Sequence, residues 1–380
     1  MKLNALPVIL LFAGLSAGSC IKEEAPNSEA DIESCTLADK NNLLILNPVI
    51  GNKRITLFLK KGTVTALAPE FTLTPGATIS PAGGTERNFT TPQEYEVTSE
   101  DGRWKKTYTV EAATSGIKIP HVLRFENVRM EGKYQIFYET NEEGTKMWEW
   151  ASGNPGFNLT GAGSGYADYP TYQSESGYKG KCLALTTRKT GSFGAGVNMP
   201  IAAGNLFIGT FDVLNALKDA LTATRFGMPF DYIPTSLHGY YKYRSGEVFY
   251  ELDKAAPDKL KPVDRKDRFN IYAVFYESTK DMETVDGTNA LSPDNPNVLA
   301  VAQIAQDEAV ETDEWKTFDI PFVFRPGKGK DTVDADKVYC LAIVFTSSLY
   351  GDRFEGAPGS TLCVDEVTLE CKEPENEPEE

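Results

Sequence analysis

The sequence predicts an all-β protein: a small N-terminal sandwich followed by a larger β-jelly-roll. Three observations carry that expectation. Turn formers are abundant, with 32 Gly and 22 Pro, while the 17 Tyr and 20 Phe follow no helical repeat. Short runs of β-branched and aromatic residues recur along the chain, separated by Gly-, Pro- and Asp-rich punctuation. The 380 residues also exceed what one ordinary hydrophobic core organises, so two units are expected.

The chain opens on an export pattern. Lys2 is followed by an apolar stretch from Leu6 to Leu15, about half of what a membrane-spanning helix needs. The small residues Ser16-Ala17-Gly18-Ser19 suit a peptidase cleft, and Cys20 offers a thiol for lipid attachment. This segment resembles the lipobox of bacterial lipoproteins, with Leu15 one position upstream of the usual place. The resemblance implies removal of residues 1–19, lipidation of Cys20, and a lipid-anchored outer-membrane location. An ordinary signal peptide beside a chance cysteine is the alternative. Lys22-Glu23-Glu24 resembles the surface-export signal of Bacteroidetes lipoproteins, which implies display toward the cell exterior. Residues 20–35 read as an acidic tether and 372–380 as a disordered acidic tail.

Residues 36–112 form the first unit. Ile55–Leu59, Gln93–Thr98 and Lys106–Val110 alternate or are rich in β-formers, and Asp101-Gly102 joins the last two as a hairpin. Residues 113–119 read as a linker, and 120–371 as the second unit. Its strand candidates are 183–187, 206–213, 239–243, 248–252, 269–277, 298–304, 315–324, 339–346 and 361–370. Helix signal is confined to 215–224. The Gly-rich stretches 161–165 and 191–196 lead into no Lys-Ser/Thr helix, so both read as loops rather than phosphate cradles.

Leu73–Pro81, Tyr95–Gly102 and Tyr108–Val110 resemble the immunoglobulin-like spacer domains of Bacteroidetes surface lipoproteins. Phe125-Glu126, the strand beginning at Trp315 and the closing Gly359–Leu369 resemble galactose-binding-like jelly rolls of carbohydrate-binding modules. Arg225–Phe230, Gly239–Tyr243, Ser347–Asp352 and Phe354–Ala357 are more specifically similar to the Bacteroidetes family called putative carbohydrate metabolism domain, over nearly all of 120–371. The resemblance implies a glycan partner and an association with surface glycan-uptake proteins. Carbohydrate-binding jelly rolls hold a structural calcium where first and last strands meet. Glu126 and Asp365 match those places by chain order, and a solvent-facing acid is the alternative for each.

A net charge of −16 opposes binding to nucleic acid or to an anionic bilayer surface. Two histidines, His121 and His238, leave few ways to build a Ser-His-Asp arrangement and nearly exclude a multi-histidine metal site. Beyond Cys20, the residues Cys35, Cys182, Cys340, Cys363 and Cys371 show no C-x-x-C spacing; Cys182, Cys340 and Cys363 lie in apolar runs and read as buried free thiols, with disulfides as the alternative.

Sugar recognition needs aromatic faces for pyranose rings and polar groups for their hydroxyls. Trp148 and Trp150, with Asn158 and Tyr169, lie in a Gly- and Pro-rich stretch suited to that role, with core packing as the alternative. Tyr241 and Tyr243 are further candidates for a glycan, with core packing as the alternative: they face one way on their strand while Tyr240, Lys242 and Arg244 face the other, so one set is core. Arg188 is a candidate hydroxyl ligand, and Trp315, opening an apolar strand, reads as core. The expectation is a non-catalytic carbohydrate-binding or glycan-utilisation accessory protein. A glycoside hydrolase with paired carboxylates and a structural or adhesive surface protein stay open as alternatives.

Overall fold

The computed structural model describes residues 26–37, 43–44, 47–59, 66–114, 116–217, 219–334 and 337–372. The expected signal segment, Cys20 and the tail beyond 372 lie outside them.

The N-terminal sandwich follows from strand alternation. In Gln93–Thr98 every second residue points inward, burying Tyr95 and Val97. Tyr95 stands directly across from Tyr108 on Lys105–Ala113. The sheet runs in the order Val49–Ile50, Arg54–Phe58, Lys105–Ala113, Gln93–Thr98, Thr78–Ser80, with Arg54–Phe58 and Lys105–Ala113 parallel. A second layer pairs Ile32–Leu37 with Pro69–Leu73. The expected tether therefore ends earlier than residue 35. Ala30, Ile32 and Cys35 are buried in the same cluster as Leu57, Val97 and Val110, because an apolar sheet face needs a cover.

The larger unit is a jelly-roll of two antiparallel sheets. One has the order Thr171–Ser174, Cys182–Thr186, Thr361–Lys372, Ile233–Arg244, Thr312–Pro321. The other runs Asn205–Phe207, Val338–Thr346, Asn270–Ser278, Val298–Gln303, Val323–Phe324, with Met228–Pro229 also on Val338–Thr346. Their inner faces share one core that includes Leu183, Leu185, Tyr241, Tyr243, Ile271, Phe275, Ile343, Phe345 and Val364. Each large side chain removed from water there stabilises the fold by about 1.5–3 kcal/mol. The protein is thus all-β, an immunoglobulin-like sandwich preceding a larger jelly-roll. The two units touch through the Lys53 Nζ–Glu131 Oε1 ion pair at 3.1 Å. No helix among the described residues is long and apolar enough to cross a membrane.

Two expectations need correction here. Gly191–Gly196 is a short helix, closed by a Thr190 Oγ1 bond to the Met199 carbonyl at 2.6 Å. The helical segment near 215–224 is two separate turns, Val213–Ala216 and Ala220–Ala223, started by Asp212 and Asp219 side chains that accept backbone N–H groups. The five described cysteines are all free.

Candidate functional site

A strand buried on both faces sets up the site. In Asn270–Ser278, alternation sends Ile271, Ala273 and Phe275 into the inter-sheet core and Asn270, Tyr272, Val274 and Tyr276 to the outer face. Register then assembles cross-strand rows. Asn205, Thr346 and Asn270 form one, and Phe207, Val344, Tyr272 and Gln303 the next. Farther along the strands the outer face turns apolar, through Val274, Ala342, Tyr276 and Cys340. That end is covered by Phe226, Met282, Val285, Ala290 and Leu291. The polar end is not, and a cleft of about 330 Å³ opens over it.

The cleft combines aromatic walls with neutral polar groups. Phe193, on the Gly191–Gly196 helix, is 45% exposed at its mouth, and Phe211 and Phe354 also line it. On the floor are Asn205, Asn270, Gln303 and Thr346 with the Tyr272 ring. Burial and the nearby charge of Asp352 both raise the Tyr272 phenol, so it stays an O–H donor. Among the described residues, Asp352 is the only charged one lining the cleft. It is reachable at the rim, yet loss of water on its inner side raises its carboxyl.

The loop that carries Asp352 and Phe354 hangs on Asp267. This buried carboxylate accepts the Ser348 hydroxyl (2.7 Å) and the Arg268 N–H (2.9 Å) on one oxygen. Its other oxygen accepts the Ala357 N–H and the Ser360 hydroxyl, both at 2.8 Å. Four donors offset much of the cost of burying the charge, although burial still raises the carboxyl above its ordinary value.

Most side chains nominated from sequence do structural work instead. Trp148 and Trp150 are 5% and 3% exposed and pack at a tilt, ring centroids 5.0 Å apart, in the main core. Their indole N–H groups donate to the Lys118 carbonyl (3.0 Å) and to Glu139 Oε1 (2.8 Å). Tyr241 and Tyr243 each pack on Phe269 at 4.8 Å, and the Tyr241 hydroxyl donates to the Glu308 carbonyl. A ring must be reachable to stack on a sugar, so none of these four serves that role in this conformation. Tyr169 is buried against Phe157 and Tyr134, its hydroxyl on exposed Asn158 at 2.5 Å. That pair sits beside the cleft, since Phe157 and Leu159 line it. Arg188 donates to the Ala167 carbonyl at 2.7 Å and does not line the cleft. Trp315, expected in the core, is half-buried on the outer face, because its strand turns that side toward Tyr178 and Lys242.

Glu126 and Asp365, nominated for calcium, are both engaged by backbone N–H groups. Asp365 accepts the Lys179 and Glu366 N–H groups at 2.9 and 2.8 Å, and Glu126 accepts the Lys181 N–H at 2.9 Å. Burial pushes the Asp365 carboxyl up to about 6. Among the described residues no group of three or more His, Cys, Asp or Glu is arranged to hold a metal. Both acids instead clamp one loop, Glu175–Lys181.

A Ser-His-Asp alignment, unexpected from two histidines, does occur. Ser236 Oγ lies 2.8 Å from His238 Nε2, and His238 Nδ1 lies 3.0 Å from Asp319. The seryl hydroxyl also donates to Glu370 at 3.1 Å, and that carboxylate opposes the oxyanion that acyl transfer would build. The residues of the cleft itself were missed from sequence. Their only trace was the polar start of otherwise apolar strands: Asn205 before Leu-Phe, Asn270 before Ile-Tyr.

Two family models match. One, Putative carbohydrate metabolism domain, spans residues 124–370, and the other, SGBP N-terminal, spans 36–112. A crystal structure of a putative glycoside hydrolase from Bacteroides thetaiotaomicron is 48% identical, with a TM-score of 0.80, covering 92% of this chain and 99% of that one. Another putative glycoside hydrolase, from Bacteroides vulgatus, is 45% identical with a TM-score of 0.60, covering 67% of this chain and all of that one. No curated protein matches. The similarities are carbohydrate-related throughout, and the chain belongs to the Putative carbohydrate metabolism domain family.

Proposed function

We propose that the protein is a non-catalytic glycan-binding accessory protein whose cleft on the six-stranded sheet receives a short glycan or a chain end. The observation that carries this reading is the cleft lining: amides, hydroxyls and aromatic faces with one carboxylate, Asp352. Asn205, Asn270, Gln303 and Tyr272 offer donors and acceptors to sugar hydroxyls, while Phe193 and Phe211 offer ring faces. Glycoside hydrolysis by the usual route needs two carboxyl groups flanking the bond, and this lining supplies one. Calorimetric titration of an oligosaccharide panel tests the reading. Binding that Gln303→Ala and Tyr272→Phe weaken about tenfold each, with no release of reducing ends, is the expected result. Reducing ends that appear with the wild type and disappear in Asp352→Asn would overturn it.

A second reading, hydrolysis, is favoured by Glu139. This buried carboxyl is pushed up to about 7 by burial, against a Trp150 N–H bond that works the other way. A carboxyl that keeps its proton near neutrality is what a general acid requires. Activity abolished by Glu139→Gln would support it. For location, we propose that the chain is lipid-anchored through Cys20 in the outer membrane and faces the exterior. The lipobox-like sequence and the SGBP N-terminal match support this. Cys20→Ser is expected to move the protein out of the membrane fraction.

A further inference from the structure

On the outer face of the five-stranded sheet, away from the cleft, three aromatic side chains meet at the surface. Tyr178 is 49% exposed and lies flat on Tyr240, ring centroids 3.7 Å apart and planes 12° off parallel. Trp315 stands edge-on to Tyr178 at 6.2 Å, and the Lys242 ammonium sits 5.1 Å from the Trp315 ring. Lys242 is half-buried, with no carboxylate within ion-pair distance among the described residues.

The arrangement is built rather than incidental. Tyr178 and Lys179 occupy the tip of a tight turn, Gly177–Gly180, closed by the Gly177 N–H on the Gly180 carbonyl at 3.0 Å. The turn is held from below on two further strands of chain. Asp365 accepts the Lys179 N–H, and Glu126 accepts the Lys181 N–H. Gly180 has φ +74°, and a Cβ there would come within 2.1 Å of Glu126 Oε1, so the turn and its clamp are shaped to each other. Two carboxylates, two glycines and a stacked partner thus hold one half-exposed aromatic ring at the surface. Fixing a ring before contact lowers the entropy lost on binding.

We propose that Tyr178, Tyr240 and Trp315, with Lys242 beside them, form a second carbohydrate-binding surface that takes the interior of a glycan chain. The inference rests on the carbohydrate reading of the cleft and extends it to a separate site. A flat pyranose face matches an exposed aromatic ring, and an ammonium donates to a ring hydroxyl or a uronate carboxylate. The surface is open along its length, so a chain can lie across it without an end. The cleft, walled by Phe193, Phe211 and Phe354, suits a short glycan instead.

Native gels containing soluble polysaccharides test this with the full chain. The panel holds neutral β-glucan, xylan and galactomannan, and acidic polygalacturonate. At least one polymer is expected to retard the wild type, with Tyr178→Ala and Trp315→Ala each weakening retention about tenfold and Gln303→Ala weakening it less than either. Short oligosaccharides are expected to show the reverse, sensitive to Gln303→Ala and indifferent to Tyr178→Ala. If Trp315→Ala fails to fold, Tyr178→Ala decides, since its side chain stands half in solvent on a turn. Retention lost only in Gln303→Ala overturns the second surface and leaves the cleft standing. Retention of no polymer, with oligosaccharides still bound, does the same. Binding of polymer through Tyr178 with no oligosaccharide bound supports the surface and removes the cleft.

Discussion

Glu139 carries a proton-linked cost that can be measured directly. Its side chain is buried beside Trp148 and Trp150, and burial raises its carboxyl from an ordinary 4.5 to about 7. Among the described residues its one hydrogen bond is from the Trp150 N–H at 2.8 Å, too little to hold the charge fully. The folded state therefore keeps a proton that the unfolded chain releases between about pH 4.5 and 7. For a group raised this way, the stability it contributes is complete below the unfolded value and is lost as pH climbs through the folded one. A difference from 4.5 to about 7 amounts to about 3 kcal/mol. Glu139→Gln keeps the oxygen that accepts from Trp150 and removes the charge. At pH 4.5 the variant is expected to be about 1 kcal/mol less stable than wild type, because its NH2 group needs a partner. At pH 8 the order reverses, with the variant ahead by about 2 kcal/mol. Urea unfolding at the two pH values, followed by tryptophan fluorescence, reads both numbers. The same pH dependence in wild type and variant would refute the reasoning, for then Glu139 is ionised in the folded state.

Three other outcomes follow from the structure. Asp267→Ala strands the Ser348 and Ser360 hydroxyls and the Ala357 N–H, so a loss of about 3 kcal/mol is expected by urea unfolding. Asp267→Asn, which keeps acceptor capacity, should lose less, and oligosaccharide affinity should fall with the stability of the Asp352 loop. Trp148→Ala is expected to cost about 3–5 kcal/mol while leaving polymer retention untouched in whatever fraction stays folded, a combination that gel retardation at low temperature checks. Gly180→Ala places a methyl against Glu126 at positive φ, and is expected to reduce polymer retention with little change in the unfolding midpoint of the sandwich unit. Unaltered retention would mean that the turn does not orient Tyr178.

Much of the fold was legible because strands leave period-two traces. Gln93–Thr98, Asn270–Ser278, Val298–Gln303 and Val338–Thr346 all fall where alternating or apolar runs predicted them. The split of Gly239–Arg244 into two faces was also correct as a split. Which face was core could not be read from the strand itself, because both sets carry large side chains. Tyr241 and Tyr243 lie inside only because Phe269 and Phe318 stand on that side. The Trp148-Glu-Trp150 stretch misled for a related reason. Its Gly and Pro neighbours suggest an exposed loop, but residues 146–149 pair with Tyr134–Thr140 and turn both indoles inward.

The sequence by itself determined that this is an all-β chain of two units, rich in acid, with only two histidines and an N-terminal stretch that resembles an export pattern. Those properties depend on local periodicity and composition, which a chain carries before it folds. Where ligand-facing chemistry could gather was decided only by tertiary structure. Asn205, Asn270, Gln303 and Thr346 lie far apart in the chain and meet through strand register, while Asp352 arrives on a loop held by Asp267. Tyr178 becomes a fixed surface ring because Glu126 and Asp365, 239 residues apart by number, clamp its turn from two sides. Register and long-range hydrogen bonds have no signature in a window of neighbours, and they are what set these sites.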